Sequence, residues 1–225
     1  PEEAHLINGR SPGAMAAVCR GKGARMLHFS TDYVLDGSEP GRKDEGAAPG
    51  PVNQYGWSKL DGERRVQEMC PSAMICRVSW IFGTDPPGFL GTVLNLAKAG
   101  KDLEFVADKW STPSSVEDIA RATEFLLGEP DLSGVIHLTN PGEGESWWSY
   151  GEKVIGMALD EGLLERRVEV RPTKLADIPQ LSAPRPIHTA LAPRRLLDEL
   201  GWSVRRWEEA AREQIRAMGR AGESH

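Results

Sequence analysis

Three cysteines in 225 residues, Cys19, Cys70 and Cys76, are too few and too irregularly placed for a disulfide framework or a zinc ligand set. Histidines 5, 28, 137, 188 and 225 show no ligand spacing, so the sequence offers no metal centre. No apolar run approaches the roughly 20 residues of a membrane span, and the amino terminus has no signal-peptide core. A net charge of −6 leaves no basic face for nucleic acid. Charged residues at 27% and apolar residues at 40% are ordinary globular values, without a disorder signature, repeat or low-complexity tract. The expectation is a soluble, cytoplasmic protein that binds neither nucleic acid nor membrane.

One further absence bears on function. A dinucleotide fold holds its pyrophosphate at a Gly-x-Gly-x-x-Gly turn between a strand and a helix. Gly9 to Gly13 follows no strand, and Gly21-Lys22-Gly23 precedes one. The chain also opens on Pro1 rather than methionine. The expectation is that two or three strands carrying the cofactor turn belong to a segment outside this sequence.

What is present is a run of alternating strand and helix signals. Strands are predicted at Ala24–Ser30, Ala73–Trp80, Leu103–Ala107 and Gly134–Thr139, and helices at Gly56–Met69, Phe89–Ala99 and Val116–Leu127. A helix over Pro1–Arg20, distorted by Pro12 and Gly13, precedes them. This alternation predicts an α/β fold with a doubly wound, Rossmann-like parallel sheet. After Asn140 the pattern changes. A loop leads to a helix capped by Ser146 and running through Leu159, a short strand over Arg167–Arg171, helices over Pro193–Leu200 and Trp207–Met218, and a frayed end from Gly219 to His225. The predicted division is residues 1–140 as a dinucleotide-binding domain, with 84–113 on its substrate side, and 141–225 as a smaller α/β substrate-binding domain. Trp147, Trp148, Trp202 and Trp207 are expected as core anchors.

The chemistry is concentrated in two segments. Tyr55 and Lys59 in Tyr-Gly-Trp-Ser-Lys are four apart on a predicted helix, on one face. An ammonium beside a phenol favours the phenolate, so Lys59 is expected to lower the Tyr55 pKa. Upstream, Ser30-Thr31-Asp32-Tyr33 closes a predicted strand, where open α/β sheets bind their ligands. The Thr31 hydroxyl is thereby expected beside Tyr55, able to bond a substrate oxygen.

At these residues the chain resembles the dTDP-4-dehydrorhamnose reductases of the extended short-chain dehydrogenase/reductase superfamily. Ser30 to Gly37 is near the signature STDYVFDG, Tyr55 to Glu63 is similar to YGxSKLxGE, and Arg77 to Gly83 is similar to RxSWxYG. Arg185-Pro186 with Thr189 and Leu191 resembles RPxxSxL. Asp108 to Ser114 resembles a DQxGxPT element with Lys109 in place of glutamine, so the resemblance implies no role for Lys109. The resemblance implies NADPH- or NADH-dependent reduction of the C4 ketone of dTDP-4-dehydro-6-deoxy-L-mannose to dTDP-L-rhamnose, for cell-envelope polysaccharide. Tyr55, Lys59 and Thr31 would be catalytic, Lys59 also holding the nicotinamide ribose. Phe29 would approach the cofactor through its backbone, Thr31 and Asp32 would contact the sugar, and Trp80 would border it. Arg185 suits the diphosphate or, equally, a surface ion pair. A nucleotide-sugar epimerase or dehydratase, and a non-catalytic regulatory subunit, are the competing readings. The oligomeric state stays open, a homodimer included.

Overall fold

The computed structural model describes residues 2–83 and 88–222, so the opening Pro1, part of the predicted 84–113 segment and the last three predicted frayed residues lie outside the described residues. Helices are α1 (Glu2–His5), α2 (Ser11–Lys22), α3 (Gln54–Met69), α4 (Gly88–Lys98), α5 (Val116–Leu127), α6 (Trp147–Asp160) and α7 (Trp207–Gly222). Strands are β1 (Leu27–Thr31), β2 (Met74–Val78), β3 (Ile81–Phe82), β4 (Leu103–Val106), β5 (Trp110–Ser111), β6 (Ser114–Ser115), β7 (Gly134–His137), β8 (Glu145–Ser146) and β9 (Val170–Thr173).

The central sheet is parallel in the order β1-β2-β7, with Thr31 opposite Val78 and Arg77 opposite His137. It is covered on both faces, as a parallel sheet must be. On one side Ala16, Val66, Cys70 and Ile75 bring α2 and α3 onto it, and on the other Ile119, Leu126 and Leu196 pack over Met74, Cys76 and Ile136. The doubly wound α/β architecture read from the sequence is therefore present.

The expected membership of the sheet needs correction at β4. The predicted strand at Leu103–Ala107 forms, but it pairs with β9 in a sheet of its own and not with β1, β2 or β7. The reason is burial: Leu103, Phe105 and Val170 join a second core with Leu90, Tyr150 and Trp207 from α4, α6 and α7. The strand expected at Arg167–Arg171 is shifted to Val170–Thr173 by that pairing. Helix α6 begins where predicted, because the Ser146 side chain accepts from the Ser149 amide in a reciprocal cap. Around Pro12 the predicted distortion takes the form of a π turn over Leu6–Arg10, and the helix then continues through Pro12 and Gly13 to Lys22. The predicted helix over Pro193–Leu200 is likewise a π turn, Arg195–Glu199.

Of the four tryptophans expected as anchors, Trp207 stacks on Tyr150 at 4.9 Å, Trp202 stacks on Phe125 at 4.4 Å, and Trp148 Nε1 donates to the Val170 carbonyl. Trp147, partly buried like Trp148, packs against the same core and also lines a cleft described below.

Candidate active site

The site is built where β1 ends. Helix α3 starts at Asn53, whose side chain accepts from the Gly56 amide at 2.8 Å, which places Tyr55 in the first turn. The helix is locked to β2 by a buried bidentate pair, Arg77 Nε to Glu63 Oε1 at 2.9 Å and Nη2 to Oε2 at 2.7 Å. Removing one partner of such a pair costs about 3–5 kcal/mol, so α3 is held firmly against the strand that neighbours β1.

Both expected catalytic side chains run from α3 to the end of β1, where they meet different groups. The Tyr55 phenol comes near enough to the Thr31 hydroxyl to be influenced by it, while Lys59 Nζ donates to the Phe29 carbonyl at 2.7 Å. The electrostatics differ from the sequence expectation. Partial burial pushes the Tyr55 phenol above its ordinary value, the nearby Thr31 hydroxyl pulls it down, and the Asp32 charge raises it again. Lys59 acts on a carbonyl instead of the phenol, and burial holds its own pKa below the usual lysine range against the pull of Glu63. The expected lowering of Tyr55 by Lys59 is thus corrected.

Asp32 is buried and organises what lies beneath. Its carboxylate accepts from Thr31 Oγ1 at 3.2 Å, Ser79 Oγ at 3.0 Å and Thr189 Oγ1 at 2.6 Å. Ser111 Oγ bonds Thr189 Oγ1 at 3.2 Å and accepts from Lys109 Nζ at 2.9 Å. Three distant segments thereby close on one carboxylate, and the hydroxyls of Thr31, Ser79, Ser111 and Thr189 all have partners.

Two hollows share Tyr33 as a wall. One, of about 510 Å³, is lined by Asn53, Tyr55, Trp57, Pro184 and Arg185. The other, of about 290 Å³, is lined by Asp32, Trp80, Phe89, Lys109, Ser111 and Trp147. Tyr33 and Tyr55 meet edge to face with centroids 5.7 Å apart. Trp80 has φ 37°, the one left-handed non-glycine backbone among the described residues, a conformation costing about 1–3 kcal/mol that collects at ligand sites. Its ring packs on Tyr150 at 4.7 Å and Phe89 at 5.6 Å, so it serves as both core and cleft wall. Arg185 donates to the Ala183 carbonyl at 3.1 Å and the Leu181 carbonyl at 3.5 Å and has no carboxylate partner among the described residues, which disfavours the ion-pair alternative.

Thr31, Asp32, Tyr55, Lys59 and the Phe29 carbonyl are brought together, with Trp80 and Arg185 on the walls of the two hollows. Sequence reasoning assigned no role to Tyr33, Ser79, Lys109, Ser111 or Thr189, and took Trp147 for a core anchor only. The clustering of Ser and Thr from Ser111 to Ser115 beside Lys109 was the available signal, since hydroxyls on short buried strands need polar partners.

A family model described as RmlD substrate binding domain matches residues 1–220. A dTDP-4-dehydrorhamnose reductase of Sinorhizobium fredii is 33% identical over 97% of this chain and 74% of its own. Among solved structures, a dTDP-4-dehydrorhamnose reductase of Clostridium acetobutylicum superposes with a TM-score of 0.86 at 30% identity, over 97% of this chain and 75% of that one. One from Bacillus anthracis in complex with NADP gives 0.82 at 29% identity, over 95% and 72%.

Proposed function

Because this chain belongs to the RmlD substrate binding domain family, we propose that it reduces the C4 ketone of dTDP-4-dehydro-6-deoxy-L-mannose to dTDP-L-rhamnose with NADPH or NADH, for cell-envelope polysaccharide. The observation that carries this reading is the meeting of the Tyr55 phenol and the Thr31 hydroxyl at the end of β1, with Lys59 fixed beside them on the Phe29 carbonyl.

The residues present fit the nicotinamide-ribose end of such a cofactor. Lys59 spends one N–H on Phe29 and keeps two donors for a ribose diol at the strand end. When bound, the cofactor supplies hydride to the C4 carbon. Tyr55 gives its hydroxyl proton to the C4 oxygen as charge develops there, and a phenol held above its ordinary pKa carries that proton throughout the neutral range. Thr31 Oγ1, which accepts from the Tyr33 amide and donates to Asp32 Oδ1, would turn its one hydrogen from that carboxylate to the same oxygen. Trp80 and Asp32 bound the sugar. The guanidinium of Arg185, which no carboxylate pairs among the described residues, takes the diphosphate in the neighbouring hollow.

The same reading divides the chain at 140, the first part holding the cofactor and 141–225 the sugar nucleotide, with 84–113 on the substrate side. The second core, which joins α4 and β4 to α6, β9 and α7, supports that grouping. A cytoplasmic location and a homodimer complete it. Among the described residues no helix is long and apolar enough to cross a membrane.

The test follows NADPH oxidation with dTDP-4-dehydro-6-deoxy-L-mannose. The expected result is one cofactor consumed per product and a loss of about 10²-fold or more in Tyr55→Phe. Product formed without net cofactor oxidation would mean an epimerase, and Tyr55→Phe with unchanged turnover would remove the mechanism.

A further inference from the structure

Lys109 is a buried cation that the reduction chemistry above leaves unused. Its side chain is 2% exposed, yet no carboxylate among the described residues lies within ion-pair distance. Its ammonium spends one donor on Ser111 Oγ at 2.9 Å and lies 5.3 Å from the centroid of the Tyr33 ring. An ammonium has three donors and no acceptor capacity, so two N–H groups remain for something else. The cleft that Lys109 lines is also lined by Asp32 and Ser111 and by the rings of Tyr33, Trp80, Phe89 and Trp147. A few fixed polar groups among aromatic rings suit a sugar, whose C–H groups the rings can cover while the polar atoms read its hydroxyls.

We infer that Lys109 is a specificity-determining residue that binds ring hydroxyl oxygens of the keto sugar with its two unspent N–H groups. The inference rests on the proposed sugar-nucleotide reductase activity and names the group that reads the sugar. The lysine is oriented for this task. Ser111 anchors it, Thr189 anchors Ser111, and Thr189 in turn bonds the Asp32 carboxylate, so the ammonium is positioned by the same chain of hydroxyls that fixes the loop carrying Thr31. Burial lowers the ammonium's pKa while the Asp32 charge raises it, so the nearby carboxylate offsets part of the cost of keeping a cation there. A hydrogen-bonding site that meets a sugar lacking the matching oxygen leaves a buried charge unpaired, which is the strongest basis for rejection available to a small cleft.

The test compares full-length wild type with Lys109→Met, which keeps length and packing but no donor, and with Lys109→Gln, which keeps a donor without the charge. For Lys109→Met the KM for the keto sugar is expected to rise about 10- to 100-fold with kcat within about threefold, because the lost contact acts on binding. Inhibition by dTDP alone, which lacks the keto hexose, stays unchanged, and Lys109→Gln falls between wild type and the methionine variant. Thermal unfolding without ligand supplies the second readout. An unpaired buried cation does not stabilise a fold, so the methionine variant should melt at or above the wild-type temperature. A methionine variant that melts more than about 5 °C lower assigns Lys109 to structure and overturns the inference. So does an unchanged KM in an active enzyme. A wild type that neither reduces the keto sugar nor is bound by dTDP overturns the functional reading itself.

Discussion

Thr189 Oγ1 donates to Asp32 Oδ2 across 2.6 Å, tying the C-terminal segment to the turn that follows β1. Both side chains are buried, and Asp32 also accepts from Thr31 and Ser79. Thr189→Val keeps the shape of the side chain and removes both the donor to Asp32 and the acceptor for Ser111. A hydrogen bond to a charged group contributes about 1.5–3 kcal/mol, so chemical denaturation should show a loss of that order. Because the same carboxylate fixes Thr31, kcat/KM should fall by about tenfold or more as well. A variant equal to wild type in both measurements would mean that Asp32 is held adequately by Ser79 and Thr31 alone.

Gly56 lies between Tyr55 and Trp57 in the first turn of α3, with the Tyr33 carbonyl directly against its Cα. A Cβ there has no room, since the obstacle is backbone oxygen and cannot rotate away. Gly56→Ala must separate α3 from the loop after β1 and carry Tyr55 off Thr31. Misplacement by about 1 Å is worth up to roughly 10² in rate, and a loss of that size is expected from steady-state kinetics. Gly21→Ala is the control. It too is helical, but a Cβ there meets nothing within 4 Å, so activity stays put and stability rises by up to about 1 kcal/mol.

The direction of the Tyr55 shift separates two accounts of the proton donor. If Lys59 lowered the phenol toward neutrality, reduction would lose its donor as pH rose past 7. The structure raises the phenol by burial and commits Lys59 to the Phe29 carbonyl. A donor with a raised pKa stays protonated until the pH passes that value, so kcat/KM for reduction should be level from pH 7 to about 9. An alkaline fall centred near neutrality would restore the lysine-tuned phenol.

The sequence carried the alternation, the strand end at Thr31 and the helix face of Tyr55 and Lys59, because each is a local pattern in side-chain period. What it could not carry was long-range. The parallel pairing of β4 with β9, between residues 103–106 and 170–173, depends on the aromatic core of Phe105, Tyr150 and Trp207. The Lys109, Ser111, Thr189 and Asp32 chain joins hydroxyls that are unremarkable one by one. The reversal at Tyr55 came from burial and from a carbonyl claiming Lys59, neither of which spacing reveals.

His137 sets the acid limit of the fold. Its Nδ1–H donates to the Ala192 carbonyl at 3.1 Å, and Nε2 is buried without a hydrogen-bond partner. Protonating Nε2 would place an unpaired N–H and a charge near Arg77, and burial followed by that guanidinium lowers the pKa to about 4. His28 is also lowered to about 4, by burial and then by Lys59. A histidine with a folded pKa below its unfolded value of about 6.5 has no effect above that pH, where both states are neutral. As the pH falls from 6.5 toward 4 the unfolded chain takes up protons that the fold refuses, and stability drops, for His137 by up to the order of 3 kcal/mol. Urea denaturation at pH 7.5, 5.5 and 4.5 should therefore show a steady loss, and His137→Asn should lessen that slope, leaving the part due to His28, while costing stability at pH 7.5 through the poorer fit to Ala192. A folding free energy that is level from pH 7.5 to 4.5 in the wild type would mean that the buried imidazole reaches solvent or an acceptor when it takes its proton.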